Sequence, residues 1–181
     1  MKPRGPLMIE HRLIERMLKS VVEKIPSIKE SGKADPVFID TVVDFVRTYA
    51  DRTHHGKEED ILFKALVKKK MSDSDRALML ELVEDHKYGR SVVKTIVSAK
   101  DEYVAGDVKA IGVLIENLEA LAEFYPKHII KEDKVFFPST ENLFSKEEQD
   151  AMLAQFWEFD RNMIHEKYYK VVEDMKASGT K

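Results

Sequence analysis

The sequence predicts an all-α fold, an antiparallel up-down four-helix bundle with an additional C-terminal helix. Three observations predict it. Apolar residues recur at spacings of three and four through segments of about 25 to 35 residues. The few glycines and prolines, seven and six in 181 residues, mostly mark the breaks between those segments. No stretch alternates apolar and polar residues at the period of a strand. Short breaks between long helices favour antiparallel neighbours.

Helix 1 is expected over Leu7–Lys29, between Pro6 and the Ser31–Pro36 stretch. Helix 2 follows over Pro36–Lys70, with Asp35 as N-cap ahead of a proline in the first turn. Helix 3 covers Asp75–Ala105 after the Ser72–Asp75 stretch, with Asp75 as its N-cap. Helix 4 runs from Asp107, just past Gly106, to Phe137, just before Pro138. Pro126 sits inside it and should kink it or free a carbonyl near Ala122. Helix 5 spans about residues 146–176 and opens on Ser145 with Glu148 three residues on, a capping-box pattern. We read residues 1–181 as one domain, with its core bundle at about 7–138.

Thirty basic and 33 acidic residues give a net charge of -3. No basic excess is available to grip a nucleic-acid backbone, so that partner is not expected. Cysteine is absent. Disulfides, thiolate metal sites, iron–sulfur clusters and cysteine nucleophiles are therefore excluded, and any metal must be held by histidine and carboxylate. No run of 18 apolar residues occurs, and the opening Met-Lys-Pro-Arg-Gly lacks the apolar core of a signal peptide. A cytoplasmic protein with no membrane partner is expected.

The helices carry an internal repeat. His55, Glu59 and Phe63 of helix 2 recur as His128, Glu132 and Phe136 of helix 4, at a constant offset of 73. Glu10-His11-Arg12 of helix 1 recurs as Asp85-His86-Lys87 of helix 3, at an offset of 75. Each helical hairpin thus contributes a single histidine and then a His-x-x-x-Glu. At about 1.5 Å per residue, antiparallel packing places His11, His55, His86 and His128 at one height. At about 100° per residue they also face inward. His11 shares a stripe with Leu7, Leu18, Val22 and Ile25. His86 shares one with Met79, Leu82, Val93 and Val97. His128 and Glu132 lie with Leu114, Leu121, Tyr125 and Val135. In helix 2, Glu59 points with Leu62, Phe63 and Leu66, with His55 at the edge. His54 and Glu58 form a competing pair that points to the opposite side and is expected to be a solvated pair.

Burying four imidazoles and two carboxylates in one layer without cations would cost several kcal/mol per charge. A pair of cations removes that cost. Nitrogen and oxygen donors without sulfur suit a first-row metal. The natural arrangement gives each ion two histidines, shares Glu59 and Glu132 between them, and adds a solvent-derived oxide or hydroxide bridge. Two iron ions are the expected cofactor, and the ligand chemistry also admits manganese.

The order His, His-x-x-x-Glu, His, His-x-x-x-Glu on a four-helix bundle resembles the hemerythrin-like, or HHE cation-binding, family. Three segments carry the likeness: Met8-Ile-Glu-His11-Arg, His54-His-Gly-Lys-Glu-Glu-Asp-Ile-Leu-Phe63 and His128-Ile-Ile-Lys-Glu-Asp-Lys-Val-Phe-Phe-Pro138. The resemblance covers about residues 7–138. It implies a carboxylate-bridged di-iron site held by His11, His55, Glu59, His86, His128 and Glu132. The family's oxygen carriers place a second histidine four residues along the third helix, where this sequence has Arg90. That difference argues against reversible oxygen storage. The ligand set is more like the bacterial proteins of iron-centre repair and nitrosative stress, although those carry a cysteine that this sequence lacks.

Around that set, Glu15 and Arg90 are expected either to pair, with Glu15 open to use as an extra ligand, or to reach out to solvent. Tyr49 and Tyr125 either line the site or fill the core. His165 is expected at the surface or beside the ligands. Trp157, Phe156 and Phe159 should dock helix 5 on the bundle or form a homodimer contact. The functional expectation is a protein that binds and reacts with oxygen, nitric oxide or peroxide in oxidative or nitrosative stress, served by an unknown redox partner. Missing one histidine, it would keep an iron position open. The alternative is a non-catalytic module that senses, carries or stores oxygen or iron. A metal-free structural bundle is the third reading.

Overall fold

A computed structural model of the chain describes residues 2–178, with side chains described through residue 165 and at 167. It is all-helical, with no strand among the described residues. Helix α1 is Arg4–Ser31 and closes on Gly32, whose φ of 62° lets its N–H return to the Ile28 carbonyl. Helix α2 spans residues 36–66. Asp35 caps it by accepting from the Val37 N–H at 2.9 Å, and Pro36 pre-sets the first turn. Pro36–Phe45, residues 56–57 and Lys64–Leu66 of α2 are α-helical. Val46–His55 and Glu58–Phe63 are π-helical.

Helix α3 is Asp73–Val104. Its N-cap is Ser72, whose Oγ accepts from the Asp75 N–H at 3.1 Å, and not Asp75 as the sequence suggested. Helix α4 spans residues 110–140. It stays α-helical over Ala110–Lys131, through Pro126, widens to a π-helix over Glu132–Phe136, and ends α-helical at Phe137–Thr140. A short 3-10 turn leads to α5, Lys146–Ser178. Its capping box forms as expected. The Ser145 N–H donates to Glu148 at 2.9 Å, and the Glu148 N–H donates back to Ser145 Oγ at 3.3 Å.

The apolar interior is two clusters with a polar layer between them. One is built from residues such as Leu18, Val21, Ile39, Val42, Ile96, Leu114 and Leu118. The other holds Leu7, Leu62, Phe63, Leu66, Leu82, Phe136 and Phe137. Along α1 and α3 the chain passes from the second cluster to the first; along α2 and α4 it passes from the first to the second. Each crossing goes through histidine: His11, His54 with His55, His86 and His128. Val22 and Val135, expected inside, are exposed.

Helix α5 adds Met152 and Phe156 to the second cluster. Phe159 packs on Gly56 so closely that a Cβ there would lie 2.7 Å from the ring. Trp157 is 71% exposed and takes no part in docking α5. No helix among the described residues is long and apolar enough to cross a membrane.

Candidate metal centre

The layer contains five histidines and two glutamates, all buried: His11, His54, His55, His86, His128, Glu58 and Glu132. Their donor atoms fall into two groups that could each hold a metal ion. His55, His86 and His128 form one; His11, His54, Glu58 and Glu132 form the other.

Five of the six expected ligands meet there. The sixth does not. Glu59 is turned aside, with its side chain 28% exposed and its Oε1 bonded to Arg90 and to His86 Nδ1 at 2.7 Å each. The His54–Glu58 pair, expected in solvent, takes the inward place, and His55 joins it. The cause is the π-helix through this segment. Bonds from i to i+5 put about one more residue into each turn than the α-helix that the phase argument assumed. The wider turn brings consecutive histidines to the inner face and rotates Glu59 off it. In α4 the turn widens only at Glu132, so the α-helical phase places His128 correctly. The sequence did contain a signal. His54, Lys57, Glu58 and Phe63 recur as His128, Lys131, Glu132 and Phe137 at an offset of 74, as many identities as the offset of 73 gives.

Every imidazole gives its Nδ1 to a carboxylate. His11 bonds Asp133 at 2.8 Å, His54 bonds Glu10 at 2.8 Å, and His55 bonds Asp51 at 3.3 Å. His86 bonds Glu59 at 2.7 Å and His128 bonds Asp85 at 3.2 Å. These bonds fix each ring with its Nε2 turned into the layer, where His11 and His54 meet Nε2 to Nε2 at 2.9 Å. The carboxylates are in turn held by cations: Asp133 by Arg12, Glu10 by Lys57, Asp85 by Lys131, and both Asp51 and Glu59 by Arg90. The repeat runs through this shell, at an offset of 74 between α2 and α4 and of 75 between α1 and α3. His54–Glu10–Lys57 is matched by His128–Asp85–Lys131, and His11–Asp133 by His86–Glu59. His55, which aligns with Ile129, breaks the symmetry.

Apart from that His11–His54 contact, the polar atoms inside the layer face one another without hydrogen-bond partners. Nε2 of His55, His86 and His128 and all four oxygens of Glu58 and Glu132 are buried and make no hydrogen bond. A buried polar group left this way is costly. Both glutamates reach toward both groups. Glu132 Oε2 lies 3.2 Å from His11 Nε2, and its Oε1 lies 3.3 Å from His128 Nε2. Glu58 Oε1 lies 3.5 Å from His54 Nε2, and its Oε2 lies 3.5 Å from His86 Nε2. Seven buried nitrogen and oxygen atoms converging without hydrogen-bond partners suit cations.

The ionisation of the metal-free layer carries the same signature. Burial pushes Glu58 well above the usual carboxylate range, and the charge of Glu132 adds to it. Burial works the same way on Glu132, but the surrounding His128 and His11 hold it well below. His11 rises to about 10 against the effect of its burial, because Asp133 and Glu132 favour its cation. Burial drives His54 down to about 4 and His55 well below its ordinary value.

The remaining expected neighbours are placed as follows. Glu15 pairs with Arg12 at 3.1 Å and not with Arg90, and it contributes no atom to either group. Arg90 stands outside the layer, clamping the carboxylates behind His55 and His86. His55 joins His86 and His128 in one group, so that group has three imidazoles although α3 carries Arg90 four residues after His86. Tyr49 stacks on Phe45 and is pushed up to about 12, mainly by partial burial. Tyr125 is buried with its ring parallel to that of His55 at 6.2 Å. It lines a cavity of about 90 Å³ that reaches His55 and His86 beside Gly89 and Arg90. His165 is exposed and away from the layer.

Comparison with known proteins agrees with this geometry. Residues 6–140 match the model of the hemerythrin HHE cation binding domain. Similar curated proteins include an uncharacterized protein of Mycobacterium bovis and two of Mycobacterium tuberculosis, each 23% identical over 172 residues. The match covers 94% of this chain and 66% of each relative, so the chain spans just under two thirds of their length. No solved structure matches the chain.

Proposed function

The chain belongs to the hemerythrin HHE cation-binding domain family, and from that premise we propose that it is a non-heme di-iron protein that binds and reacts with a small ligand: oxygen, nitric oxide or peroxide. The observation that carries the reading is the set of seven buried, mutually facing nitrogen and oxygen atoms of Glu58, Glu132, His55, His86 and His128 that have no hydrogen-bond partner, completed by His11 and His54. One ion would be held by His11 and His54, the other by His55, His86 and His128. Glu58 and Glu132 would bridge them, and a solvent-derived oxide or hydroxide would complete the pair. The alternating order in which the helices cross the layer supports an antiparallel up-down bundle around it. Nitrogen and oxygen donors favour iron, and manganese would fit the same atoms.

When bound, iron supplies the one-electron chemistry that none of these side chains has. The residues themselves bind, orient and exclude water. Five carboxylates fix the imidazole rings, and two apolar clusters seal the layer above and below. The donor set is uneven, two imidazoles against three, so the ion of the His11–His54 half keeps more of its shell free for a small ligand. The fifth histidine also removes the argument against reversible oxygen binding drawn from Arg90.

Iron analysis together with near-ultraviolet spectra of the isolated and reduced protein tests the reading. About two iron ions per chain and an oxo-bridge band are expected. A folded protein that takes up no metal after growth in iron would overturn it. Mixing the reduced protein with oxygen, nitric oxide and peroxide in a stopped-flow instrument then distinguishes reaction from sensing, carriage or storage.

A further inference from the structure

The two halves of the outer shell differ at the matched lysines, Lys57 and Lys131. Lys131 is 29% exposed and bonds Asp85 and Glu81, both on α3. Its counterpart Lys57 is fully buried, and its ammonium is held between Glu10 and Asp160 of α5, the latter at 2.7 Å. Glu10 uses its other oxygen to hold His54 Nδ1 at 2.8 Å. A continuous chain of charge-assisted bonds therefore runs from α5 to a histidine of the layer: Asp160, Lys57, Glu10, His54. The same stretch of α5 presses Phe159 onto Gly56 and places Phe156 under the Lys57 ammonium at 5.9 Å. Helix α5 lies beyond residues 6–140, the span matched by the family.

We infer that Asp160 is a positioning residue for the His11–His54 half of the centre, and that docking of α5 and metal retention in that half are coupled. The inference rests on the metal-centre reading. A buried ammonium shared by two carboxylates leaves Glu10 with an unbalanced partner if Asp160 is lost. Glu10 then shifts toward Lys57, and its grip on His54 Nδ1 weakens. Carboxylates behind a ligating imidazole set its orientation and basicity. The coupling is reciprocal: whatever α5 contributes to metal affinity, metal contributes to α5 docking. Among the described residues the opposite half has no such ion-pair chain to α5, because Lys131 pairs there with Glu81 and Asp85 of α3.

The test uses the full chain loaded with iron(II), and with cobalt(II) as a redox-silent probe. Asp160→Asn should speed loss of one of the two ions to a chelator by about tenfold, with the second ion lost at the wild-type rate. Asp160→Glu should restore the slow rate. Hydrogen exchange over residues 150–165 should slow on metal loading in wild type, and Glu10→Gln should remove that slowing. Equal acceleration of both ions in Asp160→Asn, or no acceleration, overturns the inference, since the first is general destabilisation. Should wild type take up no ion, the metal-centre reading fails by itself. Exchange of α5 in the metal-free protein then still decides the link, with faster exchange in Glu10→Gln supporting it and unchanged exchange overturning it.

Discussion

The hairpins α1–α2 and α3–α4 carry the same motif and present it differently. In α4 the helix stays regular up to Lys131 and delivers one histidine and one glutamate to the layer. In α2 the helix is π-wound from Val46 and delivers two histidines with the glutamate that an α-helix would turn away. A repeat in sequence therefore guarantees the residue types at a site but not the helical phase at which they arrive. The comparison also shows what a π-segment gains. Adjacent residues can both reach the centre, so α2 supplies two histidines where α4 supplies one.

The sharpest way to break the comparison is at the glutamates. Glu58→Ala and Glu132→Ala should each take metal content from about two ions per chain to below about one, because each carboxylate faces both groups. Glu59→Gln and Asp133→Asn, the matched pair behind His86 and His11, should keep both ions at roughly 10- to 100-fold lower affinity. Elemental analysis with chelator competition separates the two outcomes. Loss of both ions in Glu59→Ala with retention in Glu58→Ala would restore the α-helical phase.

Next in size is the pair of histidines that only α2 provides. His54→Ala should empty the half shared with His11, and His55→Ala the half shared with His86 and His128. Each should fall from about two ions to about one. Cobalt spectra of the two variants should differ, since one retains three imidazoles on the remaining ion and the other two.

The metal-free protein should show opposed pH dependences from the two histidines that meet in one group. His11 has a folded value of about 10, above its ordinary value of 6.5. Its contribution is full below about 6.5 and is lost as pH rises toward 10. His54 has a folded value of about 4. Its neutral form is the buried one, so stability falls as pH drops from about 6.5 toward 4. Denaturant midpoints of the metal-free chain should therefore peak near neutrality, and metal loading should flatten the profile. A midpoint rising steadily from pH 7 to 10 would contradict the His11 assignment.

The smallest effect is packing. Gly56→Ala, under the Phe159 ring, should destabilise by about 1–3 kcal/mol. The matched Ile130 is 57% exposed, and Ile130→Ala should stay within roughly 0.5 kcal/mol. Thermal unfolding of the two variants compares them directly.

By itself the sequence determined the helical class, the order of the long helices, the caps at Asp35 and Ser145, and the layer at which His11, His86 and His128 meet. These follow from local propensity and from a period that holds along each regular helix. The family resemblance rested on the same local wording. The tertiary structure decided the phase of α2, and with it Glu58 over Glu59, the entry of His54 and the role of His55. It also decided the Ser72 cap and the clamp of Arg90 on Asp51 and Glu59. A π-turn is weakly favoured in an isolated chain and persists where tertiary contacts hold it. Here His54 is held by Glu10 of α1, Arg90 of α3 bonds Asp51, and Phe159 of α5 packs against Gly56. None of those partners is near in sequence, so no window along α2 could have revealed the extra residue in its turn.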